Sequence, residues 1–75
     1  MENFDPKEFL LFALNHFKLA INTQKGNWIE LEKGYSIEIE GKNLFKLMHE
    51  GQVIAPFSDV EEMCNFIKKD MELNG

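Results

Sequence analysis

Short segments that alternate between apolar and polar residues fill the middle of the chain, and glycine-containing turn signals separate them. Such alternation is typical of strands that bury one face, and closely spaced turns join such strands into hairpins. The pattern therefore predicts a meander of four antiparallel strands. Its turn signals are Lys33-Gly34, Gly41-Lys42-Asn43 and Glu50-Gly51.

Helical patterns flank the meander on both sides, and the first has a strong start signal. Asp5 is a good N-cap, Pro6 suits the first helical position, and Glu8 completes a capping box. The apolar spacing continues far beyond this start. We therefore predict a helix over residues 6–24 that ends at Gly26 as a left-handed cap.

The apolar surface of this first helix is unusually wide. Phe4 and Phe9 occupy the two positions of a hydrophobic staple. A helix that covers a core needs an apolar arc of about 100°, yet this one carries two neighbouring stripes. It is therefore either embedded between other elements or shared with a partner. The second stripe consists of Phe12, His16 and Leu19.

The register of the first two hairpins follows from requiring that paired apolar residues share a face. A three-residue loop at 32–34 places Ile29 opposite Ile37 and gives Gly34 a left-handed conformation. A three-residue loop at 41–43 sets the second hairpin. The pairs predicted there are Ile39 with Phe45, Ile37 with Leu47, Tyr35 with His49, and Glu38 with Lys46.

The third turn leaves two registers open. A three-residue loop would turn Val53, Ala55 and Phe57 towards the core. A two-residue turn at Glu50-Gly51 would instead turn Ile54 inward, and in either case apolar residues remain on the outer side of the last strand. The pairs that the two-residue turn predicts are Leu47 with Ile54, Met48 with Val53, and Leu44 with Phe57.

A second capping box, Ser58-Asp59-Val60-Glu61, starts a second helix. The order of elements is then helix, four-stranded antiparallel meander, helix. This order predicts an α+β fold, a two-layer sandwich in which both helices cover one face of the sheet. We expect residues 1–75 to form a single domain. The apolar face of the second helix consists of Val60, Met63, Cys64, Ile67 and Met71.

In this fold the other face of the sheet is open in a monomer. Its apolar residues lie mainly on the last two strands, and Glu30, Glu38 and Glu40 lie on the first two. We predict that this face packs against a second copy or another protein. A lysine at Met48 or Val53 should then weaken association without unfolding the monomer. The predicted interaction surface consists of Trp28, Leu44, Met48, Val53 and Phe57.

Composition narrows the classes of partner. Thirteen acidic and eight basic residues give a net charge of −5, and every basic residue is a lysine. Arginine supplies the fork that recognises phosphate and guanine, and an acidic chain repels the nucleic acid backbone, so we expect no nucleic acid partner. With neither a basic leader nor a long apolar run, we expect no membrane partner. The lone Cys64 fits a reducing, cytoplasmic compartment.

The candidate reactive side chains have structural interpretations. His16 and His49 lack an assignable nucleophile or base partner, and Cys64 lies on an apolar helix face. The strand glutamates do not form a cation-binding loop, so we expect no metal, no cofactor and no enzymatic activity.

Two functions remain after these exclusions. The first is a small acidic protein-interaction module that contacts a protein partner or pairs with itself as a homodimer. The alternative is an acidic inhibitor, of the immunity type, that blocks a basic protein target. The predicted order of elements resembles small chaperone and adaptor folds, such as the type III secretion chaperones, in that order alone.

Overall fold

A five-stranded antiparallel sheet and two helices make up the fold. The structure, a computed structural model, describes residues 5–74. The predicted α+β class and antiparallel meander are confirmed, but the predicted number of strands is wrong because residues 21–25 form an additional strand. The sheet order is β1-β2-β3-β4-β5. The elements are α1 (Pro6–His16), β1 (Ile21–Lys25), β2 (Trp28–Leu31), a 3-10 turn (Glu32–Gly34), β3 (Tyr35–Gly41), β4 (Leu44–His49), β5 (Gln52–Phe57) and α2 (Val60–Asn74).

Helix α1 begins where the sequence predicts. The Asp5 side chain caps it, because its Oδ1 accepts a hydrogen bond from the Lys7 backbone N–H at 3.0 Å. Pro6 occupies the first turn, where its missing N–H is not needed. The predicted staple between Phe4 and Phe9 involves a residue that lies outside the described part of the chain.

Replacing this cap gives a first prediction. We expect Asp5→Ala to lower the free energy of unfolding by about 1 kcal/mol, because the Lys7 backbone N–H then depends on water alone. Urea denaturation measures the loss. Asp5→Asn is the matched control, since asparagine caps equally well. An unchanged midpoint in the alanine variant would show that α1 does not depend on this cap.

Helix α1 ends at His16, so the prediction of a helix over residues 6–24 is wrong. Lys18 takes a left-handed conformation, with φ of 61°. The Lys18 N–H bonds to the Asn15 carbonyl at 3.0 Å, and the Leu19 N–H bonds to the Leu14 carbonyl at 2.8 Å. These two bonds form a Schellman motif, and they close the helix well before Gly26.

A lysine in this position is strained, which gives a second prediction. The left-handed region brings Cβ close to the backbone, a clash that glycine avoids. We expect Lys18→Gly to raise the free energy of unfolding by about 0.5–1 kcal/mol. Lys18→Ala also removes the charged side chain but keeps Cβ, so it should give no such gain. Equal stabilities of the two variants would contradict this explanation.

The segment predicted as the end of the first helix is the edge strand β1. Gly26 does not cap a helix; with φ of 59° it forms the tight turn between β1 and β2. Lys25 pairs with Trp28 across this turn, and the register shifts between Ile21 and Thr23. Isoleucine and threonine favour strands because their branched side chains suit a pleated surface.

The predicted register at the centre of the sheet is confirmed. Ile29 lies opposite Ile37, and Gly34 has a φ of 87°. The four pairs predicted between the next two strands are all present. These strands could be aligned from the sequence because a shift of one residue would expose every buried side chain.

The last hairpin combines the two registers that the sequence left open. It begins with the two-residue turn, so Met48 pairs with Val53 as that turn predicts. A bulge then follows, and Leu47 pairs with Ala55 instead of Ile54. The predicted pairs of Leu47 with Ile54 and of Leu44 with Phe57 are therefore wrong. Phe57 pairs with Phe45.

The N-cap of helix α2 lies one residue later than predicted. Asp59, rather than Ser58, is the capping residue, since its Oδ1 accepts hydrogen bonds from the N–H groups of Glu61 at 2.9 Å and Glu62 at 3.2 Å. The predicted apolar face of α2 is buried, with Met71 partly so.

One hydrophobic cluster joins both helices to the sheet. It combines buried side chains of α1 and α2, and of Leu19 in the turn after α1, with alternate residues of β2, β3 and β4. The cluster consists of Leu10, Ala13, Leu14, Leu19, Ile29, Leu31, Tyr35, Ile37, Ile39, Phe45, Leu47, Val60, Met63, Cys64 and Ile67.

Candidate functional site

The strand register decides which residues share the sheet face opposite the cluster. Pairing across neighbouring strands places Trp28, Glu38, Lys46 and Pro56 in one row. The next row contains Glu30, Ser36, Met48 and Val53. Leu44 shares this face because it alternates along β4 with the core residue Phe45. Four of the five residues of the predicted interaction surface are therefore on this face: Trp28, Leu44, Met48 and Val53.

The predicted apolar patch is divided between the two faces. Met48 is only 7% exposed, whereas Val53 is 57% exposed and Leu44 is 42% exposed. Trp28 is half-buried, and its Nε1–H donates a hydrogen bond to Glu30 at 3.2 Å. The extra residue of the β5 bulge, Ile54, exchanges the inner and outer sides of the residues that follow it. Phe57 therefore packs against the hydrophobic cluster. The prediction of Phe57 beside Leu44 is therefore wrong.

The strand glutamates are partly neutralised by neighbouring side chains. Lys46 Nζ lies 3.2 Å from Glu38 Oε1 and 3.2 Å from Glu40 Oε2. The hydrogen bonds that Lys46 donates to Glu40 and to Glu38 raise the pKa of Lys46 above its ordinary value. Because Lys46 lies beside two of the three glutamates, this face has less unpaired negative charge than its sequence indicates. Glu30 accepts a hydrogen bond from the neutral Trp28 indole and keeps its charge.

Aromatic side chains near the two helices form two sets of ring contacts. The rings of Phe12 and His16 stack with centroids 6.3 Å apart, and His16 meets Phe17 edge-on at 5.5 Å. Phe57 and Phe66 form a second pair, with centroids 5.6 Å apart. These pairs border one open groove, lined by His16, Phe17, Lys18, Phe57, Glu62, Asn65, Phe66, Lys68, Lys69 and Glu72. We call it the aromatic groove.

Large apolar side chains are exposed at the groove and at its rim. Phe12 is 67% exposed at the rim, and Phe66 is 37% exposed in the groove. Both charge signs surround them, and Lys68 Nζ also donates to the Phe17 carbonyl at 3.3 Å, which ties the two helices together. A cluster of exposed aromatic rings bordered by charged residues is typical of a protein-contact surface.

Sequence reasoning found only part of this groove. The second stripe of the first helix included Phe12 and His16, but its third member, Leu19, is buried beyond the end of α1. Phe66 was missed because it lies beside the apolar face of α2. The side of the sheet on which Phe57 lies depends on the β5 bulge.

The titratable side chains at the end of the sheet form a structural cluster. The His49 ring stacks on the Tyr35 ring with centroids 4.3 Å apart, and His49 Nε2 lies 3.1 Å from the Lys33 carbonyl. The Tyr35 hydroxyl donates a hydrogen bond to Asp70, which attaches α2 to β3. These contacts agree with the predicted structural role of His49. Among residues 5–74, no group of acidic, histidine and cysteine side chains has the arrangement of a metal site.

Cys64 is fully buried, as predicted for an unreactive core thiol. Burial, with a smaller contribution from Glu61, raises the pKa of Cys64 to about 11. The thiolate is the reactive form, so both access and ionisation are suppressed in the folded chain.

A thiol-labelling experiment tests this consequence. At pH 8, a maleimide or disulfide reagent should modify native Cys64 at least about 100-fold more slowly than it modifies the urea-unfolded chain. A rise of about two units in the pKa lowers the thiolate fraction about 100-fold, even before the loss of access is counted. The unfolded protein is the internal control. Labelling of the native chain at the rate of the unfolded one would show that α2 does not protect this residue.

Comparison with known proteins yields no relative. No family model matches this sequence, and no curated protein or solved structure matches it either. Neither described helix is long and apolar enough to cross a membrane.

Proposed function

We propose that this chain is a small acidic protein-interaction module that contacts its partner through the aromatic groove. In this proposal both helices cover one face of the sheet and present the groove on their outer side. The observation that carries it is the exposure of Phe66 at 37% in the groove and of Phe12 at 67% beside it, where Phe12 stacks on the groove residue His16. Aromatic side chains are enriched at the centres of protein interfaces because each buries a large area at low entropic cost.

Physical limits on size support the same proposal. A chain of 75 residues buries only about 60% of its unfolded surface, so its stability is small. Aromatic rings that stay exposed to solvent add nothing to that stability. Covering them with protein would add roughly 25 cal/mol for each Å² of apolar surface removed from water.

The other features of the proposal follow from composition. A partner protein or a second copy fits this chain better than nucleic acid, because the net charge is −5 and arginine is absent. We propose a cytoplasmic, non-enzymatic role without cofactor, since the sequence contains no recognisable pair of nucleophile and base and no cofactor-binding motif.

An acidic inhibitor of a basic target is the second candidate. Glu30, Glu38 and Glu40 favour it, although Lys46 offsets part of their charge. Ionic strength separates the two candidates, because screening would weaken an electrostatic complex steeply and an aromatic contact only slightly.

Site-specific photo-crosslinking tests which surface contacts protein. Benzoylphenylalanine would replace Phe12 or Phe66 in one set of variants, and Val53 on the outer sheet face in the control. Val53 is a matched control because it is 57% exposed and belongs to the surface predicted from sequence. Each variant would be irradiated in cells of the native host. We expect crosslinked polypeptide from Phe12 and Phe66, and little from Val53.

Two crosslinking results would contradict the proposal. Crosslinks from Val53 alone would place the contact on the outer sheet face and overturn the proposal. Irradiation without any crosslink from Phe12 or Phe66 would also overturn it.

A further inference from the structure

One stripe of α2 combines exposed apolar and charged residues. Its members recur at intervals of four, three and four residues, so they lie along one side of the helix. Phe66 is 37% exposed and Leu73 is 84% exposed, and three of the four residues also line the aromatic groove. The stripe consists of Glu62, Phe66, Lys69 and Leu73.

The two charges of this stripe lie on opposite sides of Phe66. Seven residues separate Glu62 from Lys69, which is about 10 Å along a helix, whereas partners within one helix are three or four residues apart. Neither side chain forms an ion pair with another residue in the described part of the chain, and both side chains are exposed. Both charges are therefore available to a partner.

The stripe is complementary to a reversed copy of itself. In two α2 helices packed antiparallel, a two-fold axis between Asn65 and Phe66 places Glu62 of each copy opposite Lys69 of the other. The same axis brings the two Phe66 rings together at the centre. Such an interface uses one patch on both subunits, which is the usual form of a symmetric dimer.

We infer that the occupant of the aromatic groove is a second copy of this chain, paired through antiparallel α2 helices; this inference rests on the proposed function. A partner of one charge sign would match Glu62 or Lys69 but not both. A second copy supplies an opposite charge for both residues, and the two-fold axis produces two such pairs between Glu62 and Lys69.

The area that such a dimer requires is a modest part of the exposed surface. A stable interface buries about 800 Å² on each partner, roughly a sixth of the 4987 Å² that the chain exposes. The 15-residue α2 extends about 22 Å, and Phe12 and His16 at the groove would widen the contact beyond the helix pair. Exposed aromatic rings at the centre and charges at the edge reproduce the usual arrangement of such interfaces.

A charge-swap experiment tests the pairing. Sedimentation equilibrium across micromolar to millimolar concentrations should show a monomer–dimer equilibrium for the wild type. Glu62→Lys or Lys69→Glu alone should raise the dimer dissociation constant by about tenfold or more, because each puts like charges opposite one another twice. The double swap should return the constant to within about threefold of the wild type.

Lys25→Glu is the matched control, because it makes the same charge change as Lys69→Glu on the exposed edge strand β1. It should leave the dissociation constant unchanged. Circular dichroism melts establish that every variant is folded before its association is measured.

Failure of the inference differs from failure of the proposed function. A wild type that stays monomeric, or a double swap without rescue, overturns the second copy as occupant. If Phe66 then crosslinks to a different polypeptide, the groove is still a contact surface. If neither Phe12 nor Phe66 crosslinks to anything, the proposed function fails as well.

Discussion

Phe45→Ala is expected to lower the free energy of unfolding by about 3–5 kcal/mol, because it removes a ring that packs at the centre of the core. Phe45 is 2% exposed and lies between Ile39 on β3 and Phe57 on β5. A domain of this size has about 4–11 kcal/mol of stability in total. The substitution therefore removes a large fraction of the total stability, and urea denaturation should show a much lower midpoint than for the wild type.

Phe12→Ala is the matched control for this substitution. It deletes the same ring from a residue that is 67% exposed, so its effect on the monomer should be below about 0.5 kcal/mol. A large loss in Phe12→Ala, measured at a concentration where the protein is monomeric, would show that the aromatic groove belongs to the core. A small loss in Phe45→Ala would show that the sheet does not pack against the helices.

The centre of the sheet could be predicted because it is constrained on both sides. Ile37 has neighbours on β2 and β4, and its side chain must face the core in both hairpins. A register shift of one residue would turn Ile37 and both its partners outward. The sequence therefore allowed only one arrangement of these strands.

The edges of the sheet were harder to predict because less burial constrains them. The apolar spacing from Phe17 to Ile21 continues the pattern of α1, and only the Schellman turn at Lys18 interrupts it. The signal that was missed is Gly26-Asn27, since a two-residue turn of this kind is typical of a hairpin. At the other edge, the bulge in β5 changes the pairing register within one strand. A search for regular alternation along the sequence cannot detect a change of register within a strand.

The candidate site depended on these edges and was therefore predicted only in part. Trp28 and Val53 lie on the predicted face, but the bulge places Phe57 against the core and into the aromatic groove. Phe66 could not be identified from its helix alone, because its exposure depends on how α2 packs beside β5. Local patterns identified all the elements except β1, whereas tertiary packing decided which side chains are exposed.

Met48→Lys is expected to lower the free energy of unfolding by about 2 kcal/mol, because it places an ammonium group where the native side chain is 7% exposed. This expectation replaces the one drawn from sequence, in which a lysine here left the monomer folded and weakened association. Met48 lies between Ser36 and Val53 across the outer sheet face, and Ser36 is also buried.

Val53→Lys is the matched control, because Val53 is the cross-strand partner of Met48 and is 57% exposed. Lysine is well tolerated on an edge strand such as β5, where it also discourages unwanted strand pairing, so the change in stability should be below about 0.5 kcal/mol. Thermal melts and urea denaturation of both variants give the comparison. Equal stabilities for the two lysine variants would mean that Met48 is as accessible as its neighbour. In that case the outer sheet face would expose a continuous apolar surface, as the interaction surface predicted from sequence requires.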